Sequence, residues 1–176
     1  MQPGDFCLVR GPGVRGAVIR WWIDCPVSHA AVYVGGGTIV HALPAGVVSD
    51  SVFNLPGPLV WSTDRLPWSL DDVQRQAISA FVVGMLGTRY AWSAILAGAL
   101  RQKGLSQAAA VRVAGTVGAT CTQMIAAAYR FAGVPLAGDT PLPLVNPKHL
   151  LEAIGVPPNG TIGRVRSDVG RSYRRS

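Results

Sequence analysis

The chain has 176 residues, 49% of them hydrophobic and 14% charged, with a formal net charge of +7. That apolar content excludes disorder of the whole and suits one domain with a sizeable core. There is no uncharged apolar run of about 18 residues, and the opening MQPGDFCLVRGPG lacks an apolar signal core, so neither a membrane span nor a secretion signal is expected, and the protein is expected to be cytoplasmic as synthesised.

In chain order, GDFCLVRG is short, apolar and β-prone, bounded by glycines, and reads as a first strand. GAVIRWWIDCPVS suits a short helix or a strand and is broken at Pro26. HAAVYV and TIVHAL then flank Gly35, Gly36 and Gly37, the composition of a tight hairpin. GVVSDSVF and PLVWSTD read as two more strands, separated by the proline-rich NLPGP.

From Ser69 the apolar period lengthens. Leu70, Val73, Ala77, Ala80, Phe81 and Gly84 recur at helical spacing behind acidic residues, with Gly87 at the end, which predicts an amphipathic helix. YAWSAILAGALRQ and SQAAAVRVAGTVG are weaker helical stretches. TCTQMIAAAYRFAG is a strong one, stopped by Gly133 and Pro135, and NPKHLLEAIG is a last short helix with proline in its first turn. Strands followed by helices predict an α+β class with an antiparallel sheet packed on helices, in one domain over 1–160, with a basic segment at 161–176.

Two of the three histidines, His29 and His41, stand at the two ends of the predicted hairpin. If Gly36 is the centre of its turn, paired residues have numbers summing to about 72. His41 then faces Ala31, and His29 lies diagonally next to it on the same face, whereas a slip of one residue would separate them. Two converging imidazoles suit a general base held in one tautomer by its neighbour. Cys121 suits the nucleophile they would serve. Thr120 before it and Gln123 form a capping box, which places the cysteine in a first helical turn. There the dipole and free amides are expected to lower the thiol pKa and to offer donors to an oxyanion. An alternative for Cys25, His29, His41 and Cys121 is a zinc site, although Pro26 intervenes and no paired-ligand spacing occurs. The odd count of three cysteines at wide spacing is no disulfide framework. Cys7 is expected in the core, and neither Asp24 nor Asp50 is singled out as a partner for the histidines.

The motifs PGDFCLV, SHAAVYVGGGTIVHAL, GTRYAW, TCTQMIAAAYRFAGV and NPKHLLEAIGV resemble, in this order, the circularly permuted branch of the NlpC-type, papain-like cysteine hydrolases. That branch includes relatives of lecithin–retinol acyltransferase. The resemblance spans roughly Pro3 to Val156. It implies Cys121 as nucleophile, His29 as base and His41 as the polar residue orienting it, with Tyr90 and Trp92 lining the cleft and Gln123 near the substrate. Core packing is the alternative for both aromatics, and His149 is expected to be structural. Ala91 stands where permuted members often carry aspartate, and CTQ replaces the usual cysteine–serine pair. The implied activity is hydrolysis of an amide through an acyl-enzyme without a cofactor or metal, with a peptidoglycan stem peptide or related peptide as substrate and the cell envelope as a site of action. Acyl transfer or cleavage of a lipid ester or thioester is the alternative within the same fold.

RVRSDVGRSYRRS, from Arg164 onward, carries five arginines against one aspartate. It reads as a solvated tail or as an anchor on an anionic polymer. In the latter case a non-catalytic cleft held to a polyanion is a third possibility. Tyr173 is its one aromatic residue, so base stacking has little support.

Overall fold

The computed structural model describes residues 1–157 apart from 12, 57, 63–65, 103 and 115–117. The basic segment 161–176, and the anchoring expected of it, lie outside the described residues. Five antiparallel strands form one sheet: β1 (Phe6–Val9), β2 (His29–Gly35), β3 (Thr38–Leu43), β4 (Gly46–Ser51) and β5 (Pro58–Trp61), in the order β4-β3-β2-β1-β5. The order of expected strands is kept. Helices follow as α2 (Asp72–Gly84), α3 (Trp92–Gln102), α4 (Gln107–Ala114), α5 (Cys121–Phe131) and α6 (Pro147–Ala153), and the chain is α+β.

The stretch that suited either helix or strand is α1, Gly13–Ile23. Its packing explains the outcome. A Cβ on Gly16 would stand 2.2 Å from the Gly11 carbonyl oxygen, so only glycine lets this helix lie against the loop before it. Arg20 then donates to that same carbonyl at 2.7 Å. Asp24 takes a left-handed φ of 46° and ends the helix.

Strand alternation gives the sheet two apolar faces. Phe6, Leu8, Ala30, Val32, Val40 and Ala42 meet α2 and α5 on one side, where Ile78, Val82, Met124, Ile125 and Tyr129 are buried. Tyr129 is fully buried. Its ring meets Phe6 edge-on at 5.6 Å, and its hydroxyl donates to the Gly4 carbonyl at 2.8 Å, so burial leaves no unpaired oxygen. Cys7, Val9, Ala31, Ile39 and Leu55 form a smaller cluster on the other face, with Tyr33 and Trp61 against it. Helices α3 and α4 pack on each other through alanines Ala94, Ala97, Ala110 and Ala114, with Leu144 beside them.

One short strap positions the region of interest. Gly87 donates to the Val47 carbonyl at 2.9 Å, and Val47 donates to the Thr88 carbonyl at 2.9 Å. Further along, Ala119 donates to the Arg89 carbonyl at 3.0 Å, making a parallel bridge between Tyr90 and Ala119. Residues 87–91 therefore join the edge of the sheet to the residues that lead into α5. Gly118 permits the close approach: its φ is 94°, and a Cβ there would stand 2.6 Å from the Arg89 oxygen.

Candidate active site

The hairpin adopts the expected register. Val32 pairs with Val40 and Tyr33 with Ile39, while the pairing shifts by one only at Gly35 and Thr38, next to the turn. Gly35, Gly36 and Gly37 all have positive φ, which side chains other than glycine's resist. As a result His29 and His41 converge: Nε2 of His29 lies 3.0 Å from Nδ1 of His41, with ring centroids 5.1 Å apart. Burial favours the neutral form of both. The pKa of His29 is lowered to about 4 by desolvation, with His41 as a smaller cause, and that of His41 is lowered by desolvation against the pull of Asp50.

Asp50 is the residue that sequence reasoning did not select. It pairs with Ile39 on β4, which puts it on the His41 face, and its Oδ2 lies 4.0 Å from Nε2 of His41. The signal was present in the second hairpin. A turn at Pro44 and Ala45 sets His41 opposite Val48, and Asp50 follows two residues later on the same face.

Cys121 opens α5 as the capping box predicts. The Gln123 amide donates to Oγ1 of Thr120 at 3.3 Å, and the Thr120 amide donates to Oε1 of Gln123 at 2.9 Å. The amides of Cys121 and Thr122, which precede the capped one, point at the sulfur, as does that of Ala30 on β2. Even so, the thiol pKa is raised. Burial outweighs the three amides, so the expectation of a lowered thiol pKa is corrected here: Cys121 is only 5% exposed and its resting form is the neutral thiol.

Among the described residues no hydrogen bond joins the Cys121 sulfur to either histidine. Strand alternation explains the separation. His29 and His41 share the face of Ala31 and Ile39, whereas Cys121 packs with Ala30 and Val32 on the opposite one. His29 is the first residue of β2, so the two halves adjoin at the sheet's end. A cavity of about 770 Å³ lies over His29, His41 and Asp50, with Val18, Leu43 and Leu55 among its apolar walls. A small one of about 50 Å³ lies over Cys121. Ile19, Ser28 and Tyr90 line both.

Tyr90, expected in the cleft, thus stands between thiol and imidazoles. Burial raises its pKa and Cys121 adds to the rise, so it is a neutral phenol. Trp92 begins α3, but its side chain lies outside the described residues. Gln123 lines the small cavity, yet its amide is engaged at both ends, accepting from Thr120 and donating to the Pro143 carbonyl at 2.8 Å. It braces the start of α5. His149 accepts the Asn146 amide through Nδ1 at 3.2 Å and closes the cap of α6. Cys7 is fully buried, and burial pushes its thiol up to about 12. Among the described residues no group of three or more His, Cys, Asp and Glu side chains is arranged to hold a metal ion, and no helix is long and apolar enough to cross a membrane.

Comparison of the chain with protein-family models, curated proteins and solved structures finds no match.

Proposed function

We propose that the protein is a cysteine hydrolase of the permuted papain-like type, with Cys121 as nucleophile, His29 as base and His41 as the residue that orients His29. The observation that carries this is the 3.0 Å contact between Nε2 of His29 and Nδ1 of His41 at the floor of a groove. One nitrogen of His29 is engaged by that contact, and in the tautomer where Nε2 of His29 donates to His41, Nδ1 is the atom that takes a proton. With its pKa lowered to about 4 by burial, His29 is neutral at pH 7.

The chemistry starts from a neutral pair. For this step the thiol and Nδ1 of His29, which the sheet holds on opposite faces, must approach around the sheet's end, where His29 begins β2, as substrate binds. Nδ1 of His29 then takes the proton of Cys121 as sulfur attacks the carbonyl carbon. The Cys121 amide, which faces the resting sulfur, turns to the developing oxyanion, helped by the α5 N-terminus. His29 returns the proton to the leaving group, and water resolves the acyl-enzyme. None of these steps calls on a cofactor.

The resemblance favours a peptide amide as substrate, with a peptidoglycan stem peptide first and an anionic wall as the partner of the basic segment. A second reading, cleavage or transfer of a lipid ester or thioester, is favoured by a specific feature: Val14, Val18, Leu43, Leu55 and Leu96 give the groove apolar walls suited to an acyl chain. Incubating the full chain with muropeptides and with a lipid thioester, beside Cys121→Ser, tests both. Turnover of muropeptides lost in Cys121→Ser supports the amidase, and turnover of the thioester alone supports the second reading. Turnover of neither, or turnover that survives Cys121→Ser, removes the cysteine hydrolase.

A further inference from the structure

The contact between the two histidines holds one proton, and the side on which it originates decides whether the site contains a base at all. A neutral imidazole carries a single N–H. If His41 carries it on Nδ1, then Nε2 of His29 is the acceptor, and His29 must hold its own proton on Nδ1. That atom is then unable to accept another. If His41 carries its proton on Nε2, everything reverses: Nδ1 of His41 accepts, Nε2 of His29 donates, and Nδ1 of His29 is left with a free lone pair.

The far side of His41 selects between these states. Among the described residues its buried Nε2 has no hydrogen-bond partner, an arrangement that is costly unless something offsets it. Oδ2 of Asp50 lies 4.0 Å from it. The other oxygen of that carboxylate is already engaged. Oδ1 accepts from the Ser51 amide at 2.7 Å and from Nδ2 of Asn54 at 2.6 Å. The pair of donors on Oδ1 leaves Oδ2 for the ring. A carboxylate only accepts, so it favours a proton on the histidine nitrogen that faces it.

We propose that Asp50 is a positioning residue of this site: it draws the His41 proton to Nε2, fixes the tautomers of both histidines in series, and thereby leaves Nδ1 of His29 as the proton acceptor. The tautomer order stands on the geometry of the three side chains. Its catalytic meaning rests on the hydrolase reading.

The test is NMR of the full chain labelled with ¹⁵N in its imidazoles, at pH 7, on the wild type, Asp50→Asn and Asp50→Glu. In the wild type both His29 and His41 are expected as Nε2–H tautomers. Asp50→Asn keeps an oxygen for Ser51 and Asn54 but can turn an N–H toward His41, so both rings are expected to invert to Nδ1–H. Asp50→Glu restores the wild-type tautomers. Labelling of Cys121 by an acyl electrophile is expected to fall about a hundredfold or more in Asp50→Asn, the scale of a lost general base, and to recover in Asp50→Glu. A wild-type His41 protonated on Nδ1 overturns the proposal without need of any variant. Rings unchanged in a folded Asp50→Asn protein overturn it too. Inverted rings with undiminished labelling of Cys121 uphold the tautomer order and remove the hydrolase reading instead.

Discussion

Asp5 and Arg75 lie seventy positions apart and meet at 2.8 Å, the carboxylate side chain 1% exposed and the guanidinium 15%. The pair fastens the first turn of α2 to the chain entering β1, and Arg75 also donates to the Pro3 carbonyl at 3.2 Å. This end of the sheet lies far along β2 from His29, since Phe6 pairs with Val32 and Val9 with His29. Strand β1 therefore links the ion pair at one end to the imidazoles at the other.

Removing one partner of a buried ion pair typically costs about 3–5 kcal/mol, and here the Gln2 amide, which donates to Oδ2, stays on Asp5 to offset part of it. Arg75→Ala is expected to lower the unfolding free energy obtained from urea titration by up to that amount. Arg75→Lys should recover only part, because a single ammonium replaces a fork that reaches both Asp5 and Pro3. Equal midpoints for wild type and Arg75→Ala would show that water reaches Asp5.

The three thiols differ in surroundings and should differ in reactivity. Cys7 sits inside the sheet with its pKa near 12, and Cys25 is raised by burial as well. Cys121 is raised too, but amides face it and a cavity opens beside it. Mass-spectrometric mapping after a brief exposure to a vinyl or acyl electrophile is expected to find Cys121 modified first. His29→Ala should slow that modification by about a hundredfold. Equal rates with and without His29 remove the base.

The buried histidines make stability depend on pH in a defined window. His29 has its pKa lowered from 6.5 to about 4, so as pH falls the unfolded chain takes up its proton first. The contribution is fully present above about pH 6.5 and is lost on the way down to about pH 4. The cost is on the order of 3 kcal/mol at most, and the lowered His41 and His149 act in the same direction. Urea midpoints at pH 7.5 and 4.5 measure it. A midpoint unchanged between them would place the His29 ring in water.

Gly118 and Gly36 both have positive φ but differ in space. A Cβ on Gly36 meets nothing within 4 Å, whereas one on Gly118 strikes the Arg89 oxygen at 2.6 Å. Gly36→Ala is expected to cost about 1 kcal/mol, from the backbone alone. Gly118→Ala should cost more, about 2–3 kcal/mol, because the strap must also move. Thermal midpoints of the two variants separate the effects, and equal losses would mean that the strap yields freely.

Legibility in the sequence followed the range of the forces involved. The histidine contact was readable because a glycine turn and a period of two fix it within fifteen residues. The start of α5 was readable because Thr120 and Gln123 satisfy each other locally. Helix α1 was ambiguous, since its apolar residues suit either state and the decision lay in Gly16 meeting Gly11. The thiol pKa was misjudged for a related reason. A helix terminus is visible in sequence, but the hydrocarbon that buries Cys121 comes from β2, α1 and Tyr90, which only the tertiary structure assembles. Asp50 could be named beside Asp24 but not selected from sequence, because its relation to His41 passes through a second turn. The same tertiary packing sets thiol and imidazoles on opposite faces of the sheet, something no spacing along the chain reveals.

The strap carrying Tyr90 is held at both ends by main-chain bonds, from Val47 on one side and Ala119 on the other. The wall between the two cavities therefore hangs on a frame of main-chain bonds: a smaller residue at 90 would merge the compartments, and a bulkier one would close them.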